Sequence, residues 1–206
     1  VVIAIFMLIF IITILYSNKF YPNTTVGGID VSGMTLTEAR EAVETDLKNH
    51  VLVIKGRNNA KYELKGKDID LSAKYEDQLE SCFKKTHGFF SFYKIMTGED
   101  FDVAFDVSYN KDLLVQNLSQ SFLVAGGDQI EAPRSAYVEY DKKTKSGKIV
   151  KENLGNQLDV EKFYTYVEKA LSTLSTKINL ESGDVYLKPQ FYSKDEVIAN
   201  ELKTYN

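Results

Sequence analysis

The chain has 206 residues, a formal net charge of -4 and a 44% hydrophobic fraction, a length that fits one or two domains at roughly 150 residues each. The acidic balance excludes the basic footprint expected of a nucleic-acid binder. Its single cysteine, Cys82, excludes an intramolecular disulfide and a cysteine-based structural zinc site. At the start, Val1 to Tyr16 are apolar except for Thr13 and carry no charge. As a helix this stretch spans about 24 Å, against a hydrocarbon core of roughly 30 Å, and it begins at Val1 rather than Met. The residues that follow, Ser17 to Pro22, offer no small-x-small cleavage site, which disfavours a cleaved signal peptide. Residues 1–22 are therefore expected to form an uncleaved, single-pass transmembrane helix that meets the lipid bilayer through residues 1–16, ahead of the alternatives of a signal peptide or a buried core helix.

Beyond this segment the chain repeats itself. Ile29-Asp30-Val31-Ser32 and Phe105-Asp106-Val107-Ser108 match at an offset of 76, and each precedes a helical pattern. In the first copy Thr35-Leu36-Thr37-Glu38 has the spacing of a capping box, in which threonine and glutamate satisfy free amides at a helix start. Leu36, Ala39, Val43 and Leu47 then share one helical face, as do Leu114, Leu118 and Phe122 in the second copy. A hairpin is expected next in each: Val51 to Lys55 with Lys61 to Lys65, and Ala136 to Tyr140 with Lys148 to Lys151, joined by polar turns.

Gly66-Lys67-Asp68-Ile69-Asp70 then pairs with Gly155-Asn156-Gln157-Leu158-Asp159 at an offset of 89. A helix follows each, with apolar residues at Tyr75, Leu79, Cys82 and Phe83 in one and Phe163, Val167, Ala170 and Leu171 in the other. That spacing makes one buried stripe. The larger second offset locates an insertion in the loop from Leu123 to Ser135, where extra residues cost little.

The expected fold class is α+β: an N-terminal transmembrane helix followed by two repeated helix/β-hairpin/helix units. The expected divisions are an anchor at 1–22, a first unit at 23–86, an aromatic linker at 87–100, a second unit at 101–180 and a connector at 181–206. In the linker, His87 to Tyr93 is the most aromatic stretch outside the anchor. Packing between the units is its plainest role, with sugar stacking or membrane-surface contact as alternatives.

Few residues have the makings of a reactive site. Cys82 and His87 are the only nucleophile-and-base pair, but Cys82 aligns with Ala170 in the repeat and reads as a small core residue. His50, at the end of the first helix, is placed to meet the last carbonyls. Asp68 with Asp70, and Glu99 with Asp100 and Asp102, lack the twelve-residue calcium loop, and Asp70 and Asp159 read as helix caps. Gly27-Gly28 leads into a strand, unlike a phosphate-binding glycine loop. Asn23-Thr24-Thr25 fits an N-glycosylation acceptor, relevant only in a eukaryotic secretory setting. The lysine-rich run Lys142 to Lys148 reads as a solvated hairpin tip, with contact to an anionic polymer or lipid as the alternative.

These residues together resemble a known family. An apolar segment followed by Thr24-Thr25-Val26-Gly27-Gly28-Ile29-Asp30-Val31-Ser32-Gly33-Met34-Thr35-Leu36-Thr37-Glu38-Ala39 resembles the opening of the peptidoglycan-binding domain of Gram-positive L,D-transpeptidases (YkuD-type) and VanW-like proteins. Ala132-Pro133-Arg134-Ser135-Ala136-Tyr137-Val138 and Gly155-Asn156-Gln157-Leu158-Asp159 resemble the same domain a second time. Ile178-Asn179-Leu180-Glu181 and Val185-Tyr186-Leu187-Lys188-Pro189 resemble the lead toward the transpeptidase domain, and Ser193-Lys194-Asp195-Glu196 has the spacing of another capping box. The family's catalytic domain carries a Ser-His-Gly-Cys-x-Arg stretch with a nucleophilic cysteine, and Ser81-Cys82-Phe83 does not match it. No catalytic, cofactor-binding or metal-binding residue is assigned, and no cofactor is expected.

The resemblance implies a non-enzymatic, membrane-anchored stalk, extracytoplasmic in its bulk, that binds peptidoglycan through glycan strand or stem peptide, or spaces a catalytic domain at wall height. The alternative is an envelope protein-interaction module with no glycan affinity.

Overall fold

The computed structural model describes residues 2–87 and 93–206, and of residues 2–6, 8 and 9 the backbone alone. The fold mixes eight α-helices with ten short strands among those residues. In chain order, α1 (Val2–Leu15) precedes β1 (Thr24–Val26), β2 (Ile29–Asp30), α2 (Leu36–Asn49), β3 (Val51–Lys55), β4 (Lys61–Lys65), β5 (Ser72–Lys74) and α3 (Glu76–Thr86). Then come α4 (Lys94–Thr97), β6 (Glu99–Phe101), β7 (Asp106–Ser108), α5 (Lys111–Gln120) and α6 (Phe122–Ala125). The chain finishes with β8 (Tyr137–Asp141), β9 (Ser146–Val150), α7 (Val160–Ser172), β10 (Lys177–Asn179) and α8 (Glu196–Tyr205).

The transmembrane expectation is corrected. Among the described residues no helix is long and apolar enough to cross a membrane. Helix α1 has 14 residues, about 21 Å at 1.5 Å per residue, which falls well short of a hydrocarbon core of roughly 30 Å. It closes in a turn in which the Ser17 amide and hydroxyl both donate to the Ile14 carbonyl and the Lys19 amide donates to Tyr16. Phe20 and Tyr21, within the expected anchor at 1–22, are buried. The single-pass transmembrane anchor at 1–22 and the membrane location inferred from it are accordingly not supported.

The chain forms two compact units, each assembled from separated stretches. The first comprises Val1–Val51, Lys65–Lys111 and Ser172–Leu174; the second comprises Leu52–Leu64, Asp112–Leu171 and Ser175–Asn206.

In the first unit, β1 and β2 pair antiparallel with Thr25 opposite Asp30 and Val26 opposite Ile29. Their two-residue turn, Gly27-Gly28, has positive φ at both positions, 58° and 81°, a conformation that side chains with a Cβ resist and that matches the twist of a hairpin. A Cβ on Gly27 would also lie 2.9 Å from the Phe105 ring. Strand β6 joins β1 in parallel, and β5 pairs antiparallel with β7.

Helix α2 begins at a complete capping box: the Glu38 amide donates to the Thr35 hydroxyl, and the Thr35 amide donates to the Glu38 carboxylate. It buries Ala39, Val43 and Leu47, and α3 buries Leu79, Cys82 and Thr86. All of these but Thr86 meet Phe20, Val26, Val31, Phe101 and Phe105 in one hydrophobic core, each large apolar side chain contributing about 1.5–3 kcal/mol through burial.

In the second unit the sheet order is β10-β3-β4, with β10 parallel to β3. Leu52 and Ile54 alternate inward along β3 with the period of two that a strand imposes. Helix α7 buries Phe163, Val167, Ala170 and Leu171, and α5 buries Leu114 and Leu118. The hairpin β8–β9 carries α8 across it, with Ala136, Val138 and Ile198 enclosed and Ile149, Phe191 and Leu202 around them. Residues 181–206 thus supply core side chains, among them Val185, Tyr186 and Ile198.

Two expected caps differ from the structure. Asp70 adopts a left-handed conformation with φ of 50° at the end of a 3-10 turn, because β5 intervenes before α3, whose first turn instead uses Glu76 to accept the Tyr75 amide. Helix α8 starts after Asp195, whose carboxylate accepts the Tyr192 amide, rather than after Ser193. Asp159 does cap: its carboxylate accepts the Lys162 amide at the head of α7.

Candidate functional site

A cleft of about 300 Å³ lies in the second unit. Its floor begins at the β3–β4 connection, where Asn58 and Asn59 both hold positive φ, 56° and 60°. Asparagine tolerates the left-handed region better than other residues with a Cβ. Beside them Arg57 is held from several directions. Its Nε donates to Glu181 Oε1 at 2.6 Å and its Nη2 to Oε2 at 3.3 Å, while Nη1 donates to the carbonyls of Leu154 at 3.0 Å and Gly155 at 2.8 Å. The guanidinium lies 4.0 Å from the centre of the Tyr186 ring, and the Tyr186 hydroxyl accepts the Arg57 amide at 2.8 Å. A charge-assisted, bidentate and stacked arginine is a rigid anchor rather than a mobile surface cation.

The opposite wall joins two loops. Asn156 accepts the Glu131 amide through Oδ1 and donates to the Gln129 carbonyl through Nδ2, while its own amide donates to the Glu131 carbonyl. Arg134 and Asn153 form a bridge beside them. Gly155 is required there: its φ is 57°, and a Cβ would lie 2.3 Å from the Glu131 carbonyl, closer than any repacking allows. The insertion between the two sequence copies therefore builds a wall, anchored to Gly155-Asn156. Phe122, Leu123, Ile130 and Leu158 supply the apolar surface, and Phe122 meets the Tyr62 ring edge-on at 6.3 Å. Across Leu123, Ile130 and Leu158 a second, open hollow of about 400 Å³ is lined by Val124, Ala125, Gln157 and Val160.

The electrostatics of the cleft are neutral. Arg57 is its only charged lining residue, and Glu181 is paired to it. Burial pushes the Tyr186 hydroxyl up, against the lowering effect of the Arg57 amide that it accepts, so the phenol stays protonated at neutral pH.

The residues weighed from sequence lie elsewhere. Cys82 is buried in the first unit, and burial raises its thiol, the opposite of what activates a nucleophile. Both ring nitrogens of His87 lie 2.8 Å from backbone carbonyls, Nδ1 from Phe83 and Nε2 from Tyr16, so the ring faces the backbone instead of the thiol. His50 ends α2, its amide donating to the Leu47 carbonyl. Glu99 pairs with Lys94 at 2.5 Å, and Asp100 accepts the Thr25 hydroxyl, while Asp102, Asp68 and Asp70 are exposed. Among the described residues no three histidine, cysteine or acidic side chains gather as metal ligands would. Lys142 to Lys145 form the exposed tip of β8–β9, where Asp141 accepts the Lys143 amide. Of the aromatic stretch, residues 88–92 lie outside the described residues.

No cleft residue was singled out as a ligand contact from sequence. Arg57, Asn58 and Asn59 read there only as a polar turn, and the loop holding Gln129 and Ile130 only as an inexpensive insertion. Two consecutive asparagines in a hairpin turn, and an insertion followed by Gly155-Asn156, were the available signals.

Comparison with protein-family models, with characterised proteins and with solved structures finds no match to this chain.

Proposed function

We propose that the chain is a non-catalytic peptidoglycan-binding or spacer region of an L,D-transpeptidase-like protein concerned with peptidoglycan cross-linking. One observation supports the reading: within the resemblance-bearing segment Gly155-Asn156-Gln157-Leu158, Asn156 and Leu158 line a cleft with polar amides, an aromatic ring and apolar surface, and Asn156 is bonded to the Glu131 backbone just before Ala132-Pro133-Arg134. That combination is the usual make-up of a small-ligand site. The chain's net charge of -4 opposes bulk attraction to anionic wall polymers, so retention rests on local contacts in such a cleft.

The test is a pulldown of the full chain on purified peptidoglycan sacculi. Retention above a control protein of similar charge is expected. No retention would leave only the spacer role, and cross-linking to a protein partner in its place would favour an interaction module.

A further inference from the structure

We infer that the cleft takes an uncharged, acetamido-bearing sugar ring of a glycan strand rather than a carboxylate of an acidic stem peptide; this rests on the peptidoglycan reading above. The charge inventory decides between the two. A carboxylate needs an available cation or a cluster of free amide donors, and the only cation lining the cleft is Arg57. Its Nε and Nη2 are committed to Glu181 and its Nη1 to the carbonyls of Leu154 and Gly155. Recruiting it for a ligand would break a bidentate charge-assisted pair and leave Glu181 facing the incoming anion.

What remains available is neutral and two-sided. The side chains of Asn58 and Gln129 are exposed at the rim, and a primary amide both donates and accepts, as sugar hydroxyls and acetamido groups do. Phe122 keeps 44% of its surface exposed and is held by its edge-on contact with Tyr62, which leaves apolar ring surface for the C–H face of a pyranose. The volume of about 300 Å³ is at the small end of ligand pockets, which run from roughly 300 to 1,000 Å³. The adjoining hollow past Leu123 and Leu158 gives an oligomer somewhere to continue, so a chain of rings fits better than an isolated one.

The experiment is an NMR titration of the isotopically labelled full chain with chitotetraose, an uncharged N-acetylglucosamine oligomer, and in parallel with an acidic stem tetrapeptide. Chitotetraose is expected to shift the side-chain amides of Asn58 and Gln129 and the ring of Phe122. Asn58→Gly keeps the left-handed backbone available while removing the amide, so it folds and should weaken binding about tenfold, as loss of one well-made hydrogen bond implies; Gln129→Ala should act in the same direction. Retention on sacculi without any chitotetraose binding would overturn the sugar assignment and leave the peptidoglycan reading standing. Binding of the tetrapeptide in the cleft in place of the sugar would do the same. Chitotetraose binding that neither substitution weakens would overturn the placement. Failure of sacculus retention with chitotetraose still bound at Asn58 and Gln129 would instead overturn peptidoglycan binding, leaving the spacer role, and support the sugar site.

Discussion

His87 in the first unit and Arg57 in the second are both held by two backbone carbonyls and both lie against aromatic rings, yet their surroundings differ. His87 sits between Phe83 and Tyr21, with ring centres 4.5 and 5.4 Å away, and faces carbonyls of the chain segments that carry those rings. Arg57 meets partners from three separate stretches, at 154–155, 181 and 186. Aromatic neighbours around a short imidazole fill the space and extend a core. A long guanidinium that ties separate loop segments together fixes them in place, and a cleft lies beside them. Similar polar chemistry thus borders a packed core in one unit and a cleft in the other.

The largest expected effect tests the packed side of this contrast. Phe163→Ala removes a fully buried ring from α7 and should cost about 3–5 kcal/mol in denaturant unfolding; a loss below about 1 kcal/mol would mean that the helix is not seated as described. Next, Arg57→Met keeps the stem but removes the guanidinium, stranding Glu181 and two carbonyls. A stability loss of about 2–3 kcal/mol is expected, together with loss of protection from hydrogen exchange at residues 154–157, and an unaffected exchange pattern there would refute that fixing role. Thr35→Ala removes half of the capping box and should cost about 1 kcal/mol, with Thr35→Ser restoring most of it. Cys82→Ala should cost about 1 kcal/mol or less, the value of a single buried methylene-sized group.

The smallest effect at neutral pH becomes visible only in alkali. Burial, with help from the Glu44 carboxylate, pushes the Tyr75 hydroxyl up to about 12, above its value of roughly 10 in an unfolded chain. The folded state therefore holds this proton more tightly than the unfolded state does. The associated stability is fully present below about pH 10 and is lost as pH rises toward 12. Tyr75→Phe should flatten this part of the alkaline stability profile; an unchanged profile would show that Tyr75 is not its source.

Much of the local structure was legible from residue order. The stripe Phe163, Val167, Ala170 and Leu171 and the Thr35–Glu38 box follow from spacing within a few residues, and the structure buries the first and bonds the second. Other local readings failed where a neighbouring element intervened. By its spacing Asp70 reads as a cap, but three residues of β5 separate it from α3. Phe122 was counted on the face of α5, yet the helix ends at Gln120 and the Ser121 hydroxyl turns back to the Leu118 carbonyl, which leaves the ring exposed. The apolar run at the start has the hydropathy of a membrane span, but among the described residues no helix is long and apolar enough to cross a membrane.

The cleft was hidden for a different reason. Its lining comes from positions as distant in sequence as Arg57 and Tyr186, and no periodicity connects them. The parallel pairings of β1 with β6 and of β3 with β10 are likewise long-range. The second of these places the β3–β4 connection in the second unit, although its sequence copy begins in the first.

By itself the sequence determined the buried faces of α2, α3 and α7 and the caps at Thr35 and Asp159, since each depends on φ, ψ and contacts within one or two turns of chain. Only the tertiary structure decided that the β3–β4 hairpin joins β10 and that the neutralised Arg57 leaves a cleft beside it. Those outcomes depend on which distant groups satisfy one another's hydrogen bonds and charge, and that matching exists only once the chain has closed on itself.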